Sequence, residues 1–236
     1  LYLNKGGFYF QDISETANVN VQGRWNSGVA IVDINNDGWM DIYVCATTHK
    51  SEESRRNMLF VNQGVDATGN LKFEELASKY KIDYPGNSIM AAFFDYDKDG
   101  DLDLYILENT MLAGVPINYR PKIKDGKSEN NDRLFKNDGN GTFSDVTIEA
   151  GIVYEGFGLG LMIQDFNGDM WPDIYVSNDY VSNDILYINN GDGTFKNMTA
   201  DLLGHQSNFS MGNDAADINN DGLPDFVTLD MLPESS

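Results

Sequence analysis

Four nine-residue loops of one pattern recur along this 236-residue chain, and they recur in register. They read Asp33-Ile-Asn-Asn-Asp-Gly-Trp-Met-Asp41, Asp95-Tyr-Asp-Lys-Asp-Gly-Asp-Leu-Asp103, Asp165-Phe-Asn-Gly-Asp-Met-Trp-Pro-Asp173 and Asp217-Ile-Asn-Asn-Asp-Gly-Leu-Pro-Asp225. They alternate with hairpin-like segments: LYLNKGGFYFQDIS at 1–14, LFVNQGVDATGNLKFEEL at 59–76, LFKNDGNGTFSDVT at 134–147 and LYINNGDGTFKNMT at 186–199. From hairpin Phe to first loop Asp the step is 23, 22, 22 and 22 residues (Phe10, Phe73, Phe143 and Phe195 to Asp33, Asp95, Asp165 and Asp217). From last loop Asp to the next hairpin Leu it is 18, 31 and 13 residues. A fixed half and an elastic half describe a rigid repeating unit with insertions at one edge.

Each unit reads as four short strands. A small or apolar run enters the loop, as in Gly28-Val-Ala-Ile-Val32 and Met90-Ala-Ala-Phe-Phe94. A β-rich run leaves it: Ile42-Tyr-Val44, Leu104-Tyr-Ile106, Ile174-Tyr-Val176 and Phe226-Val-Thr228. The LYxN and TFxDxT runs supply two more, joined by turns such as Asn140-Gly141 and Asp192-Gly193. Helix signals are confined to single turns at 74–80 and 198–203. The expected fold is all-β: a β-propeller of four-stranded blades, with the Asp loop between the first and second strands. On this reading residues 1–236 hold a half blade at 1–14, blades at 29–76, 90–147 and 160–199, and a half blade at 213–230. The halves could pair to close a four-bladed ring, or the chain could be a segment of a larger propeller; the segment is the expectation.

Composition narrows the function classes. The formal charge is −21, from 16 Lys+Arg against 37 Asp+Glu, which disfavours nucleic acid and anionic membrane as partners because both need a positive patch. With 41% hydrophobic and 12% aromatic residues the chain can bury a core. Asp (27), Asn (26) and Gly (23) are heavily over-used, as turns and oxygen-rich metal loops require. The single cysteine, Cys45, excludes an internal disulfide and is expected to be a buried small residue. No apolar run approaches 18 residues, so no transmembrane helix is expected. The start at Leu1 reads as a mature chain or a fragment.

The loops have the chemistry of a hard-cation site. Calcium takes 6–8 oxygen ligands, and carboxylates on a tight loop supply them. In D-x-[DN]-x-[DN]-G-x-x-D, positions 1, 3, 5 and 9 offer side chains and position 7 a carbonyl. The expected ligand sets are Asp33, Asn35, Asp37, Trp39 (carbonyl) and Asp41; Asp95, Asp97, Asp99, Asp101 (carbonyl) and Asp103; Asp165, Asn167, Asp169, Trp171 (carbonyl) and Asp173; and Asp217, Asn219, Asp221, Leu223 (carbonyl) and Asp225. Without a cation the three or four carboxylates of each loop would repel one another, and no basic residue sits at a ligand position. Four Ca²⁺ would move the net charge from −21 to −13. An EF-hand is excluded, because its position-12 Glu is replaced by Val44, Ile106, Val176 and Thr228. Magnesium fits less well, since it keeps water and seldom uses all-protein cages. The third loop departs most from the pattern, with Gly168 at position 4 and Met170 at position 6.

These loops, with an LYxNxGxGxFxDxT segment downstream, resemble the FG-GAP/VCBS repeat. The phrasing is most similar to bacterial VCBS proteins of the ASPIC/UnbV (cartilage acidic protein-like) group, although nothing here resembles the C-terminal domain that names the group. The resemblance implies an integrin-α-like propeller with Ca²⁺ in its loops. It implies an extracellular or cell-surface setting, in bacteria often a lipoprotein on the outer membrane. It carries over no catalytic residue.

The functional expectation is therefore a non-enzymatic, calcium-stabilised binding or assembly module, with about four Ca²⁺ as its cofactor. Contacts to a protein or glycan are expected from the insertions at 45–57 (His49, Lys50, Arg55, Arg56) and 107–132 (Tyr119, Arg120, Pro121, Lys122, Lys124, Lys127), where basic residues gather on an acidic chain. Docking on an outer-membrane complex is a related expectation. The alternative is a calcium-dependent polysaccharide lyase, for which His49, His205, Arg120 or Tyr119 would have to act. Neither histidine sits in a recognisable motif, and no G-x-S-x-G or P-loop is present.

Overall fold

The structure is a computed structural model, described for residues 1–110, 121–179, 182–207 and 209–231. It is an all-β propeller segment of five antiparallel sheets in chain order. A hairpin of β1 (Tyr2–Asn4) and β2 (Phe10–Asp12) comes first. Three four-stranded meanders follow: β3 (Trp25–Val32), β4 (Asp41–Thr47), β5 (Met58–Val65) and β6 (Leu71–Glu75); then β7 (Ser88–Phe94), β8 (Asp103–Glu108), β9 (Arg133–Asn137) and β10 (Phe143–Asp145); then β11 (Gly158–Gln164), β12 (Asp173–Asn178), β13 (Ile185–Asn189) and β14 (Phe195–Asn197). The last sheet pairs β15 (Ser210–Ala216) with β16 (Asp225–Asp230). Two single-turn helices, α1 (Ala77–Tyr80) and α2 (Thr199–Leu202), follow β6 and β14.

Period-two alternation builds the stack. In β4, Tyr43 and Cys45 face the next sheet, where they meet Leu104, Ile106 and Phe135. Ile42 and Val44 face the other way, onto Met58, Phe60, Ala17 and Leu1. In β8, Tyr105 and Leu107 pack forward onto Ile174, Val176 and Tyr187. In β12, Tyr175 packs with Leu186, Met162 and Phe226. Second strands buried on both faces separate four cores, so the strand order is fixed by which neighbour each alternate residue touches.

The first strands form the inner row, β3 beside β7, β7 beside β11, and β11 beside β15. Each is bulged near its start, at Asn26/Val29, Ser88/Met90, Gly158/Gly160 and Ser210/Gly212. They run so close that a Cβ on Gly28 would lie 2.4 Å from the Ile89 carbonyl oxygen. The small-residue runs read from the sequence are thus a packing requirement.

Candidate metal centres

All four Asp loops adopt one conformation between a first and a second strand. The position-1 Asp caps the turn. Asp33 accepts from the N–H groups of Asp37 (3.0 Å) and Gly38 (2.8 Å), and Asp217 from those of Asp221 (3.0 Å) and Gly222 (2.9 Å). Asp95 does the same with Asp99 and Gly100, both at 3.1 Å. Asp165 accepts from Gly168 (2.8 Å), Asp169 (3.2 Å) and Met170 (2.8 Å). The position-5 carboxylates each take the position-7 N–H at 2.8–3.0 Å. Backbone N–H groups thus hold the position-1 and position-5 carboxylates in every loop, and among the described residues the second loop is the one that brings three acidic side chains together. In the second loop, oxygens of Asp95, Asp97 and Asp99 lie within 4.8 Å of one another. Oδ1 of Asp97 is buried and has no hydrogen-bond partner. A cluster of hard oxygens with an orphaned acceptor fits a calcium-type ion.

Positions 4 and 6 have positive φ in every loop: Asn36 and Gly38, Lys98 and Gly100, Gly168 and Met170, Asn220 and Gly222. The third loop keeps this shape despite its altered sequence, with Met170 held at φ 72° where the others place Gly. A left-handed L-residue costs roughly 1–2 kcal/mol. Met170→Gly should therefore raise stability by about 1 kcal/mol after the added chain entropy of Gly, read as a shift of the urea midpoint at constant slope.

The position-9 Asp does more than sequence reasoning assigned to it. Asp41, Asp103 and Asp173 are fully buried. One oxygen of each accepts the position-2 N–H (Ile34 3.0 Å, Tyr96 3.1 Å, Phe166 2.9 Å). The other accepts the N–H of the third-strand Asn: Asn62 (2.7 Å), Asn137 (2.8 Å) and Asn189 (2.8 Å). These carboxylates tie the loop to the third strand. Burial raises all three pKa values, that of Asp103 to about 7, against the pull of those same N–H donors. Asp225 accepts the Ile218 N–H in the same way, at 3.1 Å.

In the first three loops the position-7 side chain lies against a glycine two residues beyond the third-strand Asn. A Cβ on Gly64 would fall 1.8 Å from the Trp39 ring, and one on Gly191 3.0 Å from Trp171. Neighbouring loops are also linked. Lys98 of the second loop sits 4.3 Å from the centroid of Trp171 in the third, and Asn189 donates to the Tyr96 carbonyl at 2.8 Å.

One expectation needs correction. No base occupies a ligand position, yet the second loop does have a cation: Lys136 Nζ, from β9, contacts Asp97 Oδ2 and lies 3.1 Å from Asp99 Oδ2. No spacing within a linear motif brings a third-strand residue into the loop. In the other three loops an amide takes that place, with Asn35, Asn167 and Asn219 donating to Asp37, Asp169 and Asp221 at 2.8–3.0 Å.

At the opposite end of the sheets lies a buried polar layer that sequence reasoning missed. Asn57, Asp132 and Asp184 accept the backbone N–H groups of Ala46, Glu108 and Asn178 at 2.8–2.9 Å. Tyr105 and Tyr175 donate to Asp132 and Asp184, both at 2.7 Å. A signal existed, since each acceptor lies two residues before the hairpin Leu. Glu108, fully buried, accepts from Asn87 N–H (2.6 Å) and Ser88 Oγ (2.7 Å), and burial lifts its pKa to about 8.

Two of the residues offered for catalysis, His49 and His205, are among the described residues. His49 Nδ1 accepts the Ser51 N–H at 3.1 Å within its own loop, and His205 is exposed. Tyr119 and Arg120 lie outside the described residues. Cys45 is buried, and burial raises its thiol pKa far out of the reactive range.

A family model for the FG-GAP-like repeat matches residues 165–228, which span the third and fourth loops. Curated relatives are cartilage acidic protein 1 of Xenopus tropicalis, 26% identical over 178 residues, and of Mus musculus and Homo sapiens, 26% and 25% identical over 182 residues. These alignments cover 75% of the chain but only 24% of each relative, so the chain spans about a quarter of their length. Four loops of one geometry, each between the first two strands of its sheet, agree with that match: residues 165–228 are similar to an FG-GAP-like repeat, and the first two loops carry the same pattern.

Proposed function

We propose that the chain is a non-enzymatic, calcium-stabilised propeller module that binds a protein or glycan partner, or docks into a larger assembly, at a cell surface or in extracellular fluid. In a bacterium that surface would be the outer face of the outer membrane. The observation that carries the calcium reading is the repetition of one acid-lined loop four times, its position-1 and position-5 carboxylates held by backbone N–H groups. Ligands would come from Asp33, Asn35, Asp37 and Asp41 and their counterparts in the other loops, with the carbonyls of Trp39, Asp101, Trp171 and Leu223. The ion would neutralise charge that the fold concentrates, and binding only to the folded state would stabilise it by about 2.7 kcal/mol per site at 100-fold saturation. Affinities of extracellular modules suit a millimolar calcium medium.

The partner surface is assigned to the insertions. Of their basic residues, Arg56 pairs with Asp83 (2.7 Å) and Glu53 (3.3 Å), and Arg55 donates to the carbonyls of His49 and Pro85. Those side chains shape the 45–57 loop. Lys50 and Lys127 are exposed, and Lys122, Lys124 and Tyr154 line a cleft of about 360 Å³. Glu155 and Asp184 line the same cleft, so it offers a sugar ligand hydrogen-bonding groups of both signs beside the Tyr154 ring.

Terbium luminescence tests the calcium reading. Trp39 and Trp171 belong to two of the loops, so excitation of tryptophan should sensitise bound Tb³⁺, and calcium should displace the signal. Asp33→Asn with Asp165→Asn should abolish most of it. Emission that calcium leaves unchanged would remove the metal from the proposal.

A further inference from the structure

We propose that Lys136 is a tethered cation that competes with calcium for the second loop, so that this loop fills only at calcium concentrations about tenfold or more above those that fill the other three. The inference rests on the calcium reading above and concerns the order in which the sites load.

Two observations set the second loop apart. It has a carboxylate, Asp97, where the others have the amides Asn35, Asn167 and Asn219. It also receives an ammonium from the third strand, where the equivalent residues of the neighbouring sheets are Val61 and Ile188 and that of the first hairpin is Leu3. The two changes cancel in charge: four carboxylates and one lysine carry the same −3 as three carboxylates and an amide. They do not cancel in geometry. Lys136 Nζ engages Asp97 Oδ2 and Asp99 Oδ2, both on expected ligand side chains, and its side chain is only about one-third exposed (34%). An ammonium has no lone pair and cannot become a ligand. An amide can turn its carbonyl oxygen toward an ion; a lysine must withdraw or remain as a like charge beside it. Either way calcium loses free energy in this loop that it keeps in the others.

The lysine also gives the second loop an internal counter-ion when calcium is scarce. Asp97 and Asp99 stay gathered about Nζ, with Asp95 beside them, and Lys98 of the same loop holds the Trp171 ring of the next. The middle of the stack would thus keep its loop shape at low calcium, while loops one, three and four depend on the ion.

Native mass spectrometry in chelator-buffered calcium counts ions per folded chain and tests this. The wild-type chain should take three ions together and the fourth only after a further rise of about tenfold or more in free calcium. Lys136→Val, which installs the Val61 of the preceding sheet and leaves four carboxylates against three elsewhere, should bring the lagging ion in no later than the rest. Lys136→Gln carries the same test should the valine variant not fold, and Lys136→Arg should keep the lag. Four ions loading together in the wild type, or a lag unchanged in Lys136→Val and Lys136→Gln, would overturn the role of Lys136. No calcium on any variant would instead overturn the calcium reading itself.

Discussion

Asp173→Ala is expected to lose about 4 kcal/mol of folding free energy with chelator present, when no metal can be involved. The side chain is fully buried, and its two oxygens accept the N–H groups of Phe166 and Asn189. Alanine leaves both donors without partners in a space too small for solvent to replace the carboxylate freely. Each orphaned buried donor costs about 1–3 kcal/mol, and the cavity adds to that. The same argument holds for Asp41 and Asp103. Asp37→Ala makes the contrast, because Asp37 is exposed and its bonds are local turn contacts. It should cost about 1 kcal/mol or less in chelator and show its main effect only when calcium is supplied. Urea unfolding of the four variants, with and without calcium, separates brace from ligand. A loss for Asp173→Ala no larger than that for Asp37→Ala in chelator would show that the buried carboxylates do not tie the loop to the third strand.

The second large effect is a dependence on pH set at the other end of the sheets. Glu108 and Asp132 are buried, and burial lifts their pKa values to about 8 and about 7 from ordinary values of 4.5 and 3.8. Between the unfolded and folded values the native state holds a proton that the unfolded chain has released, so stability falls as pH rises. The window runs from about pH 4 to about pH 8, opposite to that of a salt-bridged surface carboxylate. Glu108→Gln mimics the protonated form: its carbonyl can accept from Asn87 N–H and its amide can donate to Ser88 Oγ. At pH 8 it should be more stable than wild type by about 3 kcal/mol, and at pH 5 nearly equal. Denaturant midpoints across that range, read as the difference between variant and wild type in chelator so that loop titration and calcium cancel, check the sign. A variant weaker than wild type at pH 8 would mean that Glu108 is ionised and paired.

Much of this architecture was legible in the sequence because it is written in local patterns. Alternation in Ile42-Tyr-Val44 and its counterparts marks a strand buried on both faces, and the Asp loops mark where one strand turns into the next. Single helical turns expected at 74–80 and 198–203 are present as α1 and α2. What escaped depends on neighbours across the sheet. Lys136 reaches a loop that ends 33 residues earlier in the chain, across the β8–β9 pair. The position-9 carboxylates look like ligands in a linear motif, and only the third strand reveals that they hold two strands together. Glu108 looks like an ordinary strand-end acid, and only the fold brings it against the Asn87 N–H and the Ser88 Oγ across the β7–β8 pair. Period and spacing specify which face a residue takes; they do not specify what the opposite chain places there.

Calcium analysis of the purified chain, joined to thermal unfolding with and without excess chelator, bears on all of this at once. About four Ca²⁺ per chain in millimolar calcium, with a drop of many degrees in Tm on chelation, is the expected result. A metal-free chain whose Tm chelator does not move would mean that the four loops are self-sufficient acidic turns, and that calcium has no part in what holds these sheets together.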